Sequence, residues 1–293
     1  MTKRRALPAP TLVLLLPWLV TAAVFWLYPL VYAAVLSFTK HSTLASTYEW
    51  VGVANYTNLL SSDRFWLALS NTTIFTVGTV PVTTALAIAL ALGVRGQSPR
   101  VASLLRSSYF LPSITSLVVI ALIFTNLYAR DGVINALLSM VGMAGPERGW
   151  LLDTSTALPA IMAMDIWIST GYYMVLVLAG MENIPKDLYE TARLAGATAW
   201  QQFARITLPL LRPTLVFILV LNSIKSFQVF VEIYVMTKGG PLGATTTLVY
   251  ELYHQAFEQS DMMGQASALA YIIFVILLVF SGIQMHVLRN KTS

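Results

Sequence analysis

Apolar and polar positions alternate along the chain in long blocks, with extended uncharged runs separated by short polar intervals. Six runs reach the roughly 20 residues needed to cross a hydrocarbon layer about 30 Å thick. They cover residues 11–38, 67–94, 107–128, 157–180, 208–236 and 261–288. Each predicts a membrane-spanning helix, with Pro17 and Pro29 predicting kinks in the first. That first run is too long for a signal-peptide core and lacks a small-x-small cleavage site, so a retained helix is expected. The longest polar intervals, roughly 25–30 residues, are too short for an independent soluble core. The pattern therefore predicts an all-α integral membrane protein, with one transmembrane domain over residues 1–293 and no linker or internal repeat.

Composition agrees. The chain is 57% hydrophobic and 11% charged, where soluble domains carry about a quarter charged residues. Disorder, collagen-like repetition and a free-standing soluble enzyme are excluded as readings. Cysteine is absent, so there is no disulfide frame, thiolate nucleophile or Cys-ligated zinc. The three histidines, His41, His254 and His286, are widely spaced and give no metal-ligand pattern.

The net charge of +5 matters through its placement. With the N-terminus inside, twelve basic residues fall on the cytoplasmic side: Lys3, Arg4, Arg5, Arg95, Arg100, Arg106, Lys186, Arg193, Arg205, Arg212, Arg289 and Lys291. Five fall outside (Lys40, Arg64, Arg130, Arg148, Lys238), and Lys225 lies within a span. The positive-inside bias places both termini in the cytoplasm, with the loops around residues 95–106 and 181–207. No nucleic-acid role is needed to explain the charge.

The most informative interval is 183–209. Pro185 suits a first helical turn, a short helix runs to about Leu194, and Gly196 permits a sharp change of direction. Thr198 and Gln201 have capping-box spacing and open a second helix, with Trp200, Phe203 and Ile206 on one stripe. Two short helices meeting at a small-residue elbow (Ala192, Ala195, Gly196, Ala197) fit either a hairpin on the membrane surface or a docking point for a foreign surface.

This loop resembles the Glu-Ala-Ala signature loop of permease subunits from binding-protein-dependent ATP-binding-cassette importers. Matching positions are Glu190, Ala192, Gly196, Ala197, Phe203, Ile206, Leu208 and Pro209, while Thr191 and Ala195 stand where the family has Ala and Asp. The resemblance extends along nearly the whole chain, through Tyr28-Pro29, Ser37-Phe38, residues 51–56, Phe65-Trp66, Asn71-Thr72, Leu111-Pro112, Gly132 and Asn135. Residues 237–241 with Thr246, Tyr253, Ala256-Phe257 and Gly264 are similar to the oligosaccharide and glycerol-3-phosphate uptake branch.

The resemblance implies a type I ABC importer permease fold with six spans in the bacterial or archaeal cytoplasmic (inner) membrane. It implies a second, related permease rather than a second copy, two cytoplasmic ATP-binding subunits and an external solute-binding protein. No cofactor would belong to this chain, ATP and magnesium being held by the partner subunits. In keeping with this, the sequence has no Gly-x-x-x-x-Gly-Lys-Ser/Thr phosphate loop. The elbow would be the coupling helix, and the cargo a mono- or oligosaccharide, with glycerol-3-phosphate or its diesters as the alternative.

Three charged residues fall at membrane depth, Asp165, Lys225 and Glu232, each costing a few kcal/mol to insert. Lys225 and Glu232 are seven apart, which predicts a shared face of one helix. That face, with Asn222 and Gln228, suits a substrate pathway that hydrogen-bonds sugar hydroxyls, with Trp167, Tyr172 and Tyr173 as stacking surfaces. The structural alternative pairs Asp165 with Lys225 between spans and leaves Glu232 in water at the outer interface. Residues 238–260 are expected to fold back against the outer face or to form a plain surface loop. An ion-coupled secondary transporter is the main rival; the absence of an inverted repeat and of a broken-helix pair in the pattern counts against it. An embedded enzyme lacks any catalytic constellation, including a His-Glu-x-x-His or nucleophile elbow.

Overall fold

The computed structural model describes residues 9–41 and 48–289. Lys3, Arg4, Arg5 and Lys291, and the side chains of His41 and Arg289, lie outside the described residues. In chain order the first elements are α1 (Ala9–Ala22), α2 (Tyr28–Ser37), β1 (Thr39–His41), β2 (Tyr48–Trp50), α3 (Ala54–Leu60), α4 (Asp63–Arg95), α5 (Pro99–Ile114), α6 (Leu117–Leu127) and α7 (Val133–Met140). There follow α8 (Ala157–Glu182), α9 (Lys186–Leu194), α10 (Ala199–Gln202), α11 (Leu208–Leu210), α12 (Arg212–Phe227), α13 (Val231–Met236), α14 (Leu248–Tyr253) and α15 (Met263–Arg289). Among the described residues, five helical stretches are long and apolar enough to cross a membrane, and a sixth is counted when α5 and α6 are taken together.

The third run corrects the sequence expectation. Instead of one span over 107–128, α5 and α6 meet at 93°. Pro112 sits in the last turn of α5, and Thr115 and Ser116 are extended, with ψ of 150° and 122°. Thr115 Oγ1 returns to the Leu111 carbonyl at 3.0 Å, and Ser113 Oγ donates to the Ile168 carbonyl at 2.6 Å, satisfying polar groups at the break. The break also removes one of the two grounds on which the pattern counted against a secondary transporter.

One compact unit comprises the residues up to Ser62 together with Leu252–Phe274. Between α1 and α2 lies a single widened π turn, Ala23–Leu27, closed by the Tyr28 N–H on the Ala23 carbonyl. Pro29 follows directly. It has no N–H, and its ring crowds the carbonyl four residues back, which the wider turn relieves. The irregularity before Pro29 is thus a widened turn within one continuous helical run, and α1 runs through Pro17 without a break. Asn55 Nδ2 donates to the carbonyls of Ser37 and Thr39, both at 2.9 Å, and Tyr56 OH to Ser37 Oγ at 2.8 Å. A Cβ at Gly264 would overlap the Thr39 carbonyl oxygen, so only glycine allows this approach of α15.

The second unit holds Asp63–Glu251 and the chain from Val275 onward. At 33 residues α4 spans about 50 Å, with Asp63 in its first turn and Arg95 in its last, each complementing the helix dipole. Four of its five buried threonines, Thr72, Thr76, Thr79 and Thr84, each donate to the carbonyl four residues back at 2.7–2.8 Å, while Thr83 Oγ1 has no partner among the described residues. Those bonds hide hydroxyls where no water is available. α8 packs along α4 and crosses α5 so closely that a Cβ on Gly171 would overlap the Tyr109 carbonyl oxygen. Ahead of α8, Asp153 is held below the usual carboxylate range by the Ser155 hydroxyl and then by the Ser155 N–H.

Residues 237–251 pack on the Asp63 end of α4. Asn71 Nδ2 donates to the carbonyls of Gly243 (2.9 Å) and Thr246 (3.0 Å), the Leu248 N–H to Thr72 Oγ1 (2.9 Å), and Arg64 Nε to buried Glu251 (2.5 Å). Asn71→Ala removes both amide bonds and leaves buried carbonyls unmatched. We expect it to destabilise the purified protein by about 2 kcal/mol in a thermal melt, with Asn71→Asp, which offers no N–H, failing to restore it.

Candidate functional site

Two features carry the candidate function, the elbow after α8 and a mostly apolar pocket with a few polar groups among α5, α6, α8 and α12. Both lie within the second unit.

The elbow follows from local chemistry. Pro185 is the N-cap of α9 with extended backbone (φ −56°, ψ 131°), one residue earlier than expected, and Asp187 and Arg193 sit at the ends that suit the dipole. At the far end Gly196 has φ +77°, its N–H donates to the Arg193 carbonyl (3.0 Å), and the Ala197 N–H donates to the Ala192 carbonyl (2.9 Å). This is a complete Schellman termination, which requires the left-handed conformation at the glycine. Two residues on, the Thr198 N–H donates to Gln201 Oε1 (2.8 Å) and the Gln201 N–H to Thr198 Oγ1 (3.3 Å), closing the predicted capping box of α10. The second helix is not uniform. It widens into a π turn at Phe203–Thr207, closed by the Leu208 N–H on the Phe203 carbonyl, immediately before Pro209.

Glu190, Thr191, Ala195 and Gly196 are exposed; Ala192, Ala197 and Phe203 are half-buried; Leu208 and Pro209 are exposed. The expected stripe runs from exposed Trp200, tilted against Phe203 at 5.5 Å, to Ile206, which packs on the core. No atom outside the immediate chain lies within 4 Å of a Cβ built on Gly196. The elbow is therefore an open knuckle, with Leu194 91% exposed beside it. Sequence reasoning missed how it is tied to the spans. Tyr189 OH bonds with Thr207 Oγ1 at 2.9 Å and accepts from Arg95 at 3.2 Å, and the Arg95 guanidinium lies 4.7 Å from the Tyr189 ring centre. One tyrosine thus joins α9, the π turn that precedes α11 and the end of α4.

The pocket has a volume of about 370 Å³, in the range of small-molecule sites. It is lined by Ser113, Thr115, Leu117, Ile168, Ser169, Tyr172, Tyr173, Leu221 and Lys225. Lys225 Nζ donates to Asp165 Oδ1 and, at 2.7 Å, to Ser169 Oγ. Asp165 is 1% exposed, and its second oxygen has no hydrogen-bond partner among the described residues.

Of the residues singled out by sequence, this region gathers Asp165, Tyr172, Tyr173 and Lys225. Asn222 lies fully buried behind Lys225 on α12, with Ser226 Oγ donating to its Oδ1 at 3.5 Å. Trp167 faces a different, largely apolar groove and rests on Phe124 at 5.4 Å. Gln228 is exposed at the end of α12 and lines no part of the pocket. The shared face of Lys225 and Glu232 is corrected, because the helix breaks at residues 228–230 and the seven-residue count does not run through it. Phe230 has φ −142°, and the Val229 carbonyl accepts from Thr247 Oγ1 at 3.1 Å instead of from a helical N–H. Glu232 is 3% exposed, so its alternative placement in interfacial water is corrected as well. Ser113, Thr115 and Ser169 were missed. The signal for the last was its i+4 spacing from Asp165, and for the others the Pro112 break.

A chain of long apolar helices with a capped, exposed elbow and a mostly apolar pocket holding a buried ion pair at its wall has the form of a membrane transport component. Residues 83–291 match the family of binding-protein-dependent transport system inner membrane components, and the chain belongs to that family. It is 33% identical to the lactose transport system permease protein of Rhizobium radiobacter, over 94% of this chain and 92% of that one. It is 32% identical to the trehalose/maltose transport system permease protein of Thermococcus litoralis, over 95% and 93%. A bacterial ABC transporter involved in import of the acidic polysaccharide alginate shares the fold, with a TM-score of 0.85, 24% identity and coverage of 97% and 96%.

Gly196→Ala places a Cβ in the left-handed region with nothing to strike, so its cost is backbone strain alone, about 1 to 2 kcal/mol. Amide exchange of residues 196 and 197 is expected to quicken roughly tenfold while α8 stays protected.

Proposed function

We propose that this chain is the permease subunit of an ATP-driven importer that carries a mono- or oligosaccharide delivered by an external solute-binding protein. The observation that carries the reading is the open knuckle at Gly196, capped on both sides and roped to two spans through Tyr189. Relatives at 32% and 33% identity that are named as sugar transport permeases support the cargo class. A glycerophosphate is the second reading, because Lys225 lines the pocket.

The proposed topology has six crossings, with α5 and α6 counted as one, both termini in the cytoplasm and the whole in the inner membrane. A second, related permease completes the pathway. Two cytoplasmic subunits bind ATP and magnesium, and this chain needs no cofactor of its own. Residues 183–209 form the coupling loop, with Glu190, Thr191, Ala192, Ala195, Gly196, Ala197, Phe203, Leu208 and Pro209 at or beneath the contact. Closure of the ATPase pair shifts this loop as a body. Tyr189 passes the shift to α4 through Arg95 and to α12 through Thr207, and α12 carries Lys225 into the pocket. ATP binding favours one arrangement over the other by its differential affinity, and the pathway opens to alternate sides. Asp165, Tyr172, Tyr173, Asn222 and Lys225 line or support that pathway, with Glu232, Gln228 and Trp167 at its periphery.

Gly196→Trp and Glu190→Lys are expected to reduce ATP-driven uptake by assembled vesicles at least tenfold while membrane insertion is unchanged. Gly196→Ala carries the same backbone strain and should keep most uptake, so equal loss in Ala and Trp variants would refute a docking role for the knuckle. Tyr189→Phe keeps the ring over Arg95 but loses both hydroxyl bonds. It is expected to raise ATP hydrolysed per solute imported several-fold, with its melting temperature within a few degrees of the parent.

A further inference from the structure

We infer that Asp165 sets the charge selectivity of the pocket, making it a site for an uncharged polyol and excluding phosphorylated or uronic-acid sugars. The inference rests on the reading of this pocket as the solute pathway. Its first support is the charge balance. Lys225 is the cation on the pocket wall, and Asp165, 1% exposed, is ion-paired with it from behind, so the wall presents an ammonium whose charge is already matched.

The second support is the direction of the hydroxyls. Ser113 Oγ donates inward to the Ile168 carbonyl and Thr115 Oγ1 to the Leu111 carbonyl, at 2.6 and 3.0 Å. Ser169 Oγ accepts from Lys225 and spends its own proton on Asp165. Each of these three hydroxyls gives its single proton to the protein, which leaves lone pairs for a ligand. Tyr172 and Tyr173 add phenolic hydroxyls that can donate as well as accept. Such a wall exchanges hydrogen bonds in both directions with the O–H groups of a neutral sugar. The unpaired Oδ2 of Asp165 argues against a purely structural ion pair, because a carboxylate kept for packing is expected to have both oxygens bonded.

The chain contains no cysteine, so Thr115→Cys supplies a single thiol on the pocket wall. In the assembled complex, the rates at which this subunit is labelled by an anionic (sulfonatoethyl) and a cationic (trimethylammonioethyl) methanethiosulfonate are compared, each normalised to a free thiol. The parent is expected to show less than a threefold preference for the anion. Adding Asp165→Asn should raise the anion-to-cation ratio about tenfold or more, and Lys225→Met alone should shift it toward the cation. Combining Asp165→Asn with Lys225→Met should return it close to the parent. A neutral methanethiosulfonate reports access in every variant. A parent that already favours the anion tenfold, a ratio unmoved by either substitution, or a thiol that the neutral reagent cannot reach overturns the inference. Labelling needs no transport, so failure of ATP-driven sugar uptake with a responsive ratio would count against the proposed function and leave the selectivity standing.

Discussion

A buried donor or acceptor in the spans of this protein can find a partner only inside the protein, because the hydrocarbon offers none, and a few, Asp165 Oδ2 and Thr83 Oγ1 among them, have none among the described residues. That constraint shapes the helices at each departure from regularity. Four of the buried threonines of α4 turn their hydroxyls back on their own helix. The α5–α6 break is sealed by Ser113 and Thr115, and the gap after α12 by Thr247 on the Val229 carbonyl. Where proline removes a donor within a run, at Pro29 and Pro209, the preceding turn widens.

The same constraint explains what the sequence made legible. Long uncharged runs must be helices, so five of six spans were readable within a few residues. The elbow was readable because its signals are local: a glycine for positive φ, a Thr-x-x-Gln box, a proline at the start. The two misreadings arose where neighbours decide. Averaged hydropathy passes smoothly over Pro112 and the Ser-Ile-Thr-Ser stretch, although the chain there bends by 93°. Gln228, Val229 and Phe230 carry no glycine or proline, and their break depends on Thr247, eighteen residues later. Counting seven residues across that point put Lys225 and Glu232 on one face. Pairwise chemistry fared better, since Asp165 and Lys225 do meet. The hydroxyls around them have no periodicity to betray them, and Tyr189 gave no sign of joining three elements.

The elbow and the pocket are linked by one run of the chain, the π turn at Phe203–Thr207, α11 and then α12. Thr207 stands at its foot, bonded to Tyr189, and Lys225 stands near its far end on the pocket wall. Within α12, thirteen residues at 1.5 Å each carry the chain about 20 Å from Arg212 to Lys225. α12 is uninterrupted from Arg212 to Phe227, so the part of this lever within the pocket has no internal joint.

The widened turn at Phe203–Thr207 lies below that rigid stretch. A π turn holds more residues than an α turn, and each residue of an α-helix accounts for about 100° of rotation. The short helix after the elbow and the helix above it are consequently out of phase with one another, like two splined shafts joined a tooth apart. Trp200 points away from the protein while Ile206, six positions on, packs on the core.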